Sequence, residues 1–392
     1  MSQEQQSGLL LLGVGGGGCR LASSVMAAYG DGLRALGVDT DALSNRTAAA
    51  DGMTCLLLGG SRLAGHGTGG DAIQGRLAAQ DDMQNLLPHL QGVRTVVLTA
   101  CLGAGTGGGA TPEIVKALHD MGIATVCFVT RPFAFEGESR RKAADRVLPM
   151  IEENADSLVV VALDDLFSDA GEECLVDAIR VAEGLIAAGI TLLWRLLSRP
   201  GFIRLDAERL HTLVLKGGNA RFGFSSAEGA GRASQAVVAM RACRLLRSGD
   251  ALSKANALLL GILAGQDLRL AEIGEIMGKL RDVCKSDCHV EMGTVIDSQY
   301  DGRIELVALA FESWTAAVQV EPRKEAPSSS QEPPVAETFP IQPGSKRSRG
   351  KGSKLSFGTT GRGKFQNVEP TLFGGQDLDV PTFIRRGITL ER

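Results

Sequence analysis

Apolar and polar positions along the first 160 residues follow a repeating scheme. Short runs that are apolar at nearly every position, "LLLLGV" (9–14), "TCLLLG" (54–59), "RTVVLTA" (94–100), "IATVCFVT" (123–130) and "SLVVVAL" (157–163), alternate with helix-period stretches. Strands buried on both faces of a parallel sheet read this way, whereas half-exposed strands alternate apolar and polar. The pattern predicts a doubly wound, Rossmann-like α/β domain over 1–171. From Glu172 to Ser198 no proline interrupts the chain, most faces are apolar, and Pro200–Gly201 stops the run. A long, buried central helix is expected over 172–198, with a second α/β domain over 199–320 packed against it. That domain offers the strands "NALLLGILAG", "CHVEMGTVID" and "RIELVALAF", the first two separated by the helical stretch "RLAEIGEIMGKLRDVC".

Beyond Val320 this order fails. Residues 321–372 are rich in proline, serine and charge, with nine Lys/Arg against five Asp/Glu, and have little to bury. They are expected to be a disordered linker. Apolar anchors return in "LDVPTFIRRG", so 373–392 reads as a partner-binding peptide on a long leash.

Composition bounds the function without choosing it. The net charge of −4 does not suggest a nucleic-acid binder. No apolar run reaches the ~20 residues of a membrane span, and "MSQEQQSG" lacks the basic start of a secretory signal. A cytoplasmic protein without direct membrane insertion is expected. Most of the eight cysteines sit inside apolar runs, as reduced core thiols do. Cys284, Cys288 and His289 lie close together, but no second ligand cluster accompanies them, and no metal site is assigned.

The chemistry is carried by two glycine loops, each following an apolar run and opening a helical stretch: "GVGGGGCR" (13–20) and "GAGTGGG" (103–109). Backbone N–H groups at a helix N-terminus bind phosphate, and glycine lets the backbone approach closely. Gly13, Gly15 and Gly18 also satisfy G-x-G-x-x-G, with Asp39 where a dinucleotide site places its ribose acid. A dinucleotide oxidoreductase is therefore an alternative, although it needs only one such cradle. No G-x-x-x-x-G-K-[ST] occurs, which excludes an ordinary P-loop enzyme.

"GAGTGGG" resembles the phosphate loop of tubulin-type GTPases, and the rest of the chain resembles the FtsZ family of bacterial tubulin-like cell-division proteins. The matches run in family order: "GVGGGGCR", "VDTD" (38–41), "GHGTGGDAIQG" (65–75), "RPFAFEGESRR" (131–141), "SRPGFIRLD" (198–206), "AGQDLRL" (264–270) and "LDVPTFIRR" (378–386). The resemblance implies GTP or GDP, with Mg2+, held by Gly16, Gly17, Gly18, Cys19 and Arg20 on one side. Gly105, Thr106 and Gly107 would hold it on the other, with Glu136 and Arg140 as further nucleotide contacts. Glu183 stands where the family reads guanine, and a carboxylate can accept from guanine N1–H and N2–H2.

The resemblance further implies head-to-tail self-assembly into filaments at the division site. Asp206 would enter the neighbouring subunit's site as the catalytic acid. Asp379, Pro381, Phe383, Ile384, Arg385 and Arg386 would bind membrane-anchoring division proteins. Departures from the family pattern are marked. Arg20 replaces an asparagine, Leu163 stands where an asparagine is usual, and Ile179 replaces an aromatic. In the catalytic loop Arg204 replaces an asparagine and Arg209 stands where the second acid should be. Two readings follow: a GTP-hydrolysing filament protein with slow turnover, or a guanine-nucleotide-bound structural filament with little or none.

Overall fold

The computed structural model describes residues 8–29, 32–166, 174–198, 217–314, 372–373 and 376–377. The chain separates into a body ending at Glu321 and a unit over 322–392. In the latter, Leu372–Phe373 pairs antiparallel with Gln376–Asp377. The catalytic-loop residues Arg204, Asp206 and Arg209, the expected linker, and Asp379, Pro381, Phe383, Ile384, Arg385 and Arg386 lie outside the described residues.

The elements of the first half are β1 (Leu9–Val14), α1 (Gly15–Tyr29), β2 (Ala35–Asp39), α2 (Ala42–Ala50) and β3 (Thr54–Leu57). They continue with α3 (Ala72–Leu86), β4 (Thr95–Cys101), α4 (Gly105–Asp120), β5 (Ala124–Arg131), α5 (Glu138–Glu152) and β6 (Ser157–Ala162). The second half comprises α6 (Leu175–Ser198), β7 (Gly218–Glu228), α7 (Arg232–Ala242), β8 (Ala257–Ala264), α8 (Leu270–Arg281), β9 (His289–Ile296) and β10 (Arg303–Phe311).

Strands β3-β2-β1-β4-β5-β6 are parallel neighbours in that order; five of them are the continuous apolar runs that predict a parallel sheet, and β2, "ALGVD", is a sixth that the reading did not assign. The sheet does not end there. β7 joins β6 in parallel, and β10, β8 and β9 follow, giving one ten-stranded sheet across both halves. The sequence reading assigned neither β7 nor α7. The segment "GNARFGFSSAE" holds two glycines, an arginine and an asparagine, which mask its period-two pattern. Phe222 nevertheless faces the core and meets Phe128 edge-on at 6.0 Å between ring centroids.

The layers follow from side-chain alternation. On one face α1, α2 and α6 cover a core containing Val126, Phe128, Val159, Ile190 and Phe222. On the other, α3, α4 and α5 cover Leu98, Cys127, Val129 and Leu158. In the second half α7 and α8 cover the face opposite α6. α6, 24 residues and about 36 Å long, therefore lies along one face under both halves. Its expected full burial needs correction: it is first described as helical at Leu175, and its first turns are exposed, with Val176 and Val181 60% and 52% accessible. Ile186 to Leu196 form the buried segment.

The "AGQDLRL" turn has a structural role. Asp267 and Glu272 both bind the buried Arg232 guanidinium, at 2.7 and 2.8 Å, tying α7 to the start of α8. This pairing holds both carboxyls below their usual range.

Between α3 and α4 the backbones touch. A Cβ on Gly109 would lie 2.0 Å from the Ala72 carbonyl oxygen, and one on Gly75 2.4 Å from that of Gly105. Gly109→Ala is expected to lower the free energy of unfolding by about 1–3 kcal/mol through overpacking. Gly274→Ala, on an exposed helical position with nothing within 4 Å of the added methyl, is expected to raise it by about 0.5–1 kcal/mol. Urea unfolding of the two variants checks both signs.

Candidate functional site

The order of the parallel strands reverses between β1 and β4, the place where open α/β sheets form a crevice. Both glycine loops leave the carboxyl ends of these two strands. β1 passes directly into α1 at Gly15, whose φ of +71° suits glycine, and β4 passes through Leu102–Ala104 into α4. A Cβ on Gly18 would meet the Thr99 carbonyl oxygen at 2.3 Å, and one on Gly107 that of Cys101 at the same distance. Thr99 Oγ1 donates to the Gly18 carbonyl at 2.9 Å. The Thr40 and Thr106 hydroxyls, both buried, share a hydrogen bond of 2.7 Å and so link "VDTD" to the second loop.

Neither helix carries an acidic residue in its first turn, and Ala104 supplies no side-chain cap to α4. The first N–H groups of both helices thus keep their partial positive charge. This is the environment that anionic oxygen atoms favour.

Beside the loops lies a cavity of about 400 Å3. Gly17 and Arg20 come from the first loop, and Leu102 and Ala104 from the second. Thr130 comes from the end of β5, Phe133, Phe135 and Glu136 from the turn after it, and Arg140 from α5. Leu163, Ile179, Ala182, Glu183 and Ile186 close the far side. Five of the candidate residues, Gly17, Arg20, Glu136, Arg140 and Glu183, therefore meet around one space. Gly105, Thr106 and Gly107 are buried and do not line it. Gly16 and Gly18 belong to the same first turn of α1.

The charged rim is arranged in pairs. Arg20 Nε donates to Glu183 Oε1 at 3.0 Å, and Arg140 Nη1 to Glu136 Oε2 at 2.5 Å. Glu136 Oε1 also accepts from the Phe133 backbone N–H at 3.0 Å, which fixes the turn. Arg20 is 64% and Arg140 56% exposed, so these pairs exchange partners at little cost. The Glu183 Oε2 atom is not used by Arg20.

Cys19 points away from the cavity. Its thiol donates to the Gly13 carbonyl in the core and leaves only its backbone N–H on the loop side. Sequence reasoning missed Cys101 and Thr130 as lining residues. Cys101 lies against Gly17, where an added Cβ would come within 2.5 Å of its Sγ. Burial pushes its thiol above the ordinary value. The usable signal was positional: both sit at the carboxyl ends of strands beside the crevice.

Comparison with known proteins follows the same map. Residues 9–170 match the GTPase domain of the Tubulin/FtsZ family, and residues 218–312 match the C-terminal domain of the FtsZ family. Cell division protein FtsZ of Pseudomonas putida is 32% identical over 76% of this chain and 75% of its own length. Cell division protein FtsZ 1 of Rhizobium meliloti is 31% identical over 79% of this chain, which spans about half (52%) of that longer relative. The empty FtsZ dimer of M. jannaschii superposes with a TM-score of 0.72 at 26% identity, covering 77% of this chain and 87% of that one.

Burial, reinforced by the nearby Asp39 carboxylate, pushes the Cys19 thiol from 9.0 up to about 12. The folded state thus retains a proton that the unfolded chain releases above pH 9. The resulting stability is fully present below that pH and is lost as pH rises toward about 12. Between pH 9 and 10 the parent should lose roughly 1 kcal/mol more than a Cys19→Ala variant. Urea unfolding at the two pH values measures the difference, and equal losses would place Cys19 outside the linkage.

Proposed function

Because this chain belongs to the FtsZ branch of the tubulin/FtsZ family, we propose that it binds and hydrolyses GTP and polymerises head-to-tail into filaments of the bacterial division ring. The observation that carries this reading is the single cavity holding Gly17, Arg20, Glu136, Arg140 and Glu183 beside two helix N-termini free of acidic residues. The fit to a guanine nucleotide is chemical. Two glycine turns offer backbone N–H groups to phosphate oxygens. The Glu183 carboxylate offers acceptors to N1–H and N2–H2, while adenine has no such donor pair. Arg20, already bound to Glu183, holds that carboxylate at the cavity edge and presents its own N–H groups there.

Mg2+ would be held chiefly by phosphate oxygens and water, as that ion usually is. Among the described residues no group of three or more His, Cys, Asp or Glu side chains converges as a metal site. Asp206 would polarise the attacking water from a neighbouring copy, so a complete site would need two subunits. A head-to-tail contact that does not close into a ring generates a filament. The alternative, a nucleotide-bound filament with little turnover, is favoured by Arg209 at the second acid's position. An arginine there could stabilise transferring phosphate charge or hold GTP without accelerating its hydrolysis.

GTP turnover per molecule, followed against protein concentration with sedimentation in parallel, tests the reading. Turnover should rise as polymer forms. Asp206→Ala should lower it roughly 100-fold while leaving GTP affinity nearly unchanged. GTP should outcompete ATP, and Glu183→Ala should erode that preference. Polymer without phosphate release selects the structural filament; equal affinity for ATP and GTP overturns the guanine assignment.

The segment 373–392 would carry the chain to membrane-anchoring division proteins, with Phe383 and Ile384 as apolar anchors and Arg385 and Arg386 as charge-assisted contacts. Deleting it should preserve GTP binding and sedimentation but abolish midcell localisation in cells. Unchanged localisation would move the partner site to the body.

A further inference from the structure

A second cavity, about 830 Å3 in volume, lies on the opposite face of the sheet from the nucleotide candidate. Its origin is a fork in the sheet. β6 and β7 pair only from Ser157↔Gly218 to Val159↔Ala220. Past that point the two strands part, and the wedge between them is floored by Leu158 and Val160. Four arginines line it: Arg131 at the end of β5, Arg221 on β7, and Arg244 and Arg247 on the turn after α7.

That turn is firmly built. Leu245 and Leu246 are buried on its inner side. Arg247 and Ser248 are consecutive non-glycine residues at φ +50° and +53°, an uncommon conformation. Backbone hydrogen bonds from Arg247 to Arg244 and from Ser248 to Cys243 fix them there.

Two of the guanidinium groups in the wedge, those of Arg221 and Arg247, are not balanced by an ion pair among the described residues. Glu152, Asp165 and Glu312 also line it, but Glu152 is held by the Asn219 amide. Arg131 pairs with Asp145 outside it. Burial and the Arg247 guanidinium lower the Arg221 pKa, against the weaker pull of Glu312 and Asp165. A half-buried guanidinium in this setting is stabilised by an added anion. Two or more guanidinium forks over an apolar floor suit phosphate oxygens carried on a compact organic or oligophosphate body. The volume is that of a small-molecule site and exceeds what a single phosphate fills.

We propose that this wedge is a second, regulatory anion site for a nucleotide-sized phosphorylated small molecule, bound chiefly by Arg221 and Arg247. It goes beyond the guanine-nucleotide reading. Thr130 and Arg131 are adjacent on β5, and one lines the nucleotide candidate while the other lines the wedge. Occupancy of the wedge thus bears on the strand that leads into the nucleotide turn.

The full chain, saturated with GDP, is titrated calorimetrically with inorganic tripolyphosphate and, in a separate arm, with ATP. One further site is expected, weakened at least about tenfold in Arg221→Gln/Arg247→Gln. Arg221→Lys/Arg247→Lys, which keeps the charge and loses the fork, should fall between the two. Tighter binding of ATP than of tripolyphosphate identifies a ligand with an organic body, and the reverse identifies a free oligophosphate. A GDP titration of each variant reports separately on the nucleotide cavity and on folding. Failure of GDP to bind the parent therefore counts against the guanine reading alone. Displacement of tripolyphosphate by GDP, equal affinity in the Gln variant, or no binding by the parent overturns the wedge site.

Discussion

Backbone lying directly on backbone at the β1–β4 junction is the constraint on which the site depends. Gly18 sits against the Thr99 carbonyl, Gly107 against that of Cys101, and Gly109 against that of Ala72. At each contact even a methyl group would force two elements apart. This closeness draws the starts of α1 and α4 together beside one crevice. It also sets α3 directly against α4, and Thr106 reaches Thr40 in the segment after β2. Glycine richness there has two causes at once. Some positions leave backbone N–H groups open to an anion, and others allow the elements presenting those groups to pack.

The electrostatics follow from the same geometry. The loops supply positive potential without a formal charge, since it comes from helix N-termini whose own first turns carry no acid, with the Asp39 carboxylate beside the start of α1. Formal charges stand at the rim in exposed pairs, Arg20 with Glu183 and Arg140 with Glu136. Their small individual energies make the rim adaptable, while the buried Thr40–Thr106 and Thr99–Gly18 bonds keep the floor fixed. The floor, held by buried hydrogen bonds, is thus rigid, and the exposed rim above it is adjustable.

Much of this was legible in the chain because burial on both faces leaves a strong mark. Five of the first six strands appear as unbroken apolar runs, and the glycine loops fall directly after two of them. Where burial was one-sided the mark weakened. β7 leaves Asn219, Ser226 and Glu228 exposed and Arg221 half-buried, and it carries two glycines, so its period was lost, and with it the continuity of the sheet. α6 was read as buried along its length because Val176 and Val181 count as apolar wherever they point. Which of its turns are covered depends on tertiary packing, and Val176 and Val181 fall on uncovered ones. Cys19 shows the converse limit: adjacency to the loop in sequence said nothing of which way its thiol faces.

The end of β5 ties these observations together. Successive side chains on a strand point to opposite faces, so Thr130 enters the cavity beside α6 and Arg131 the wedge beside α5. Pro132 then ends the strand, and Phe133 to Glu136 form the turn whose geometry the Glu136 carboxylate fixes. A displacement of Arg131 by even a fraction of a residue along the strand must move Thr130 and that turn with it, because no flexible spacer separates them. The β6–β7 ladder, only three residues long, is the weakest join in the sheet and lies beside the same point. The two halves of the body can therefore adjust most easily where both cavities share a wall, and a change in one cavity reaches the other through a single strand.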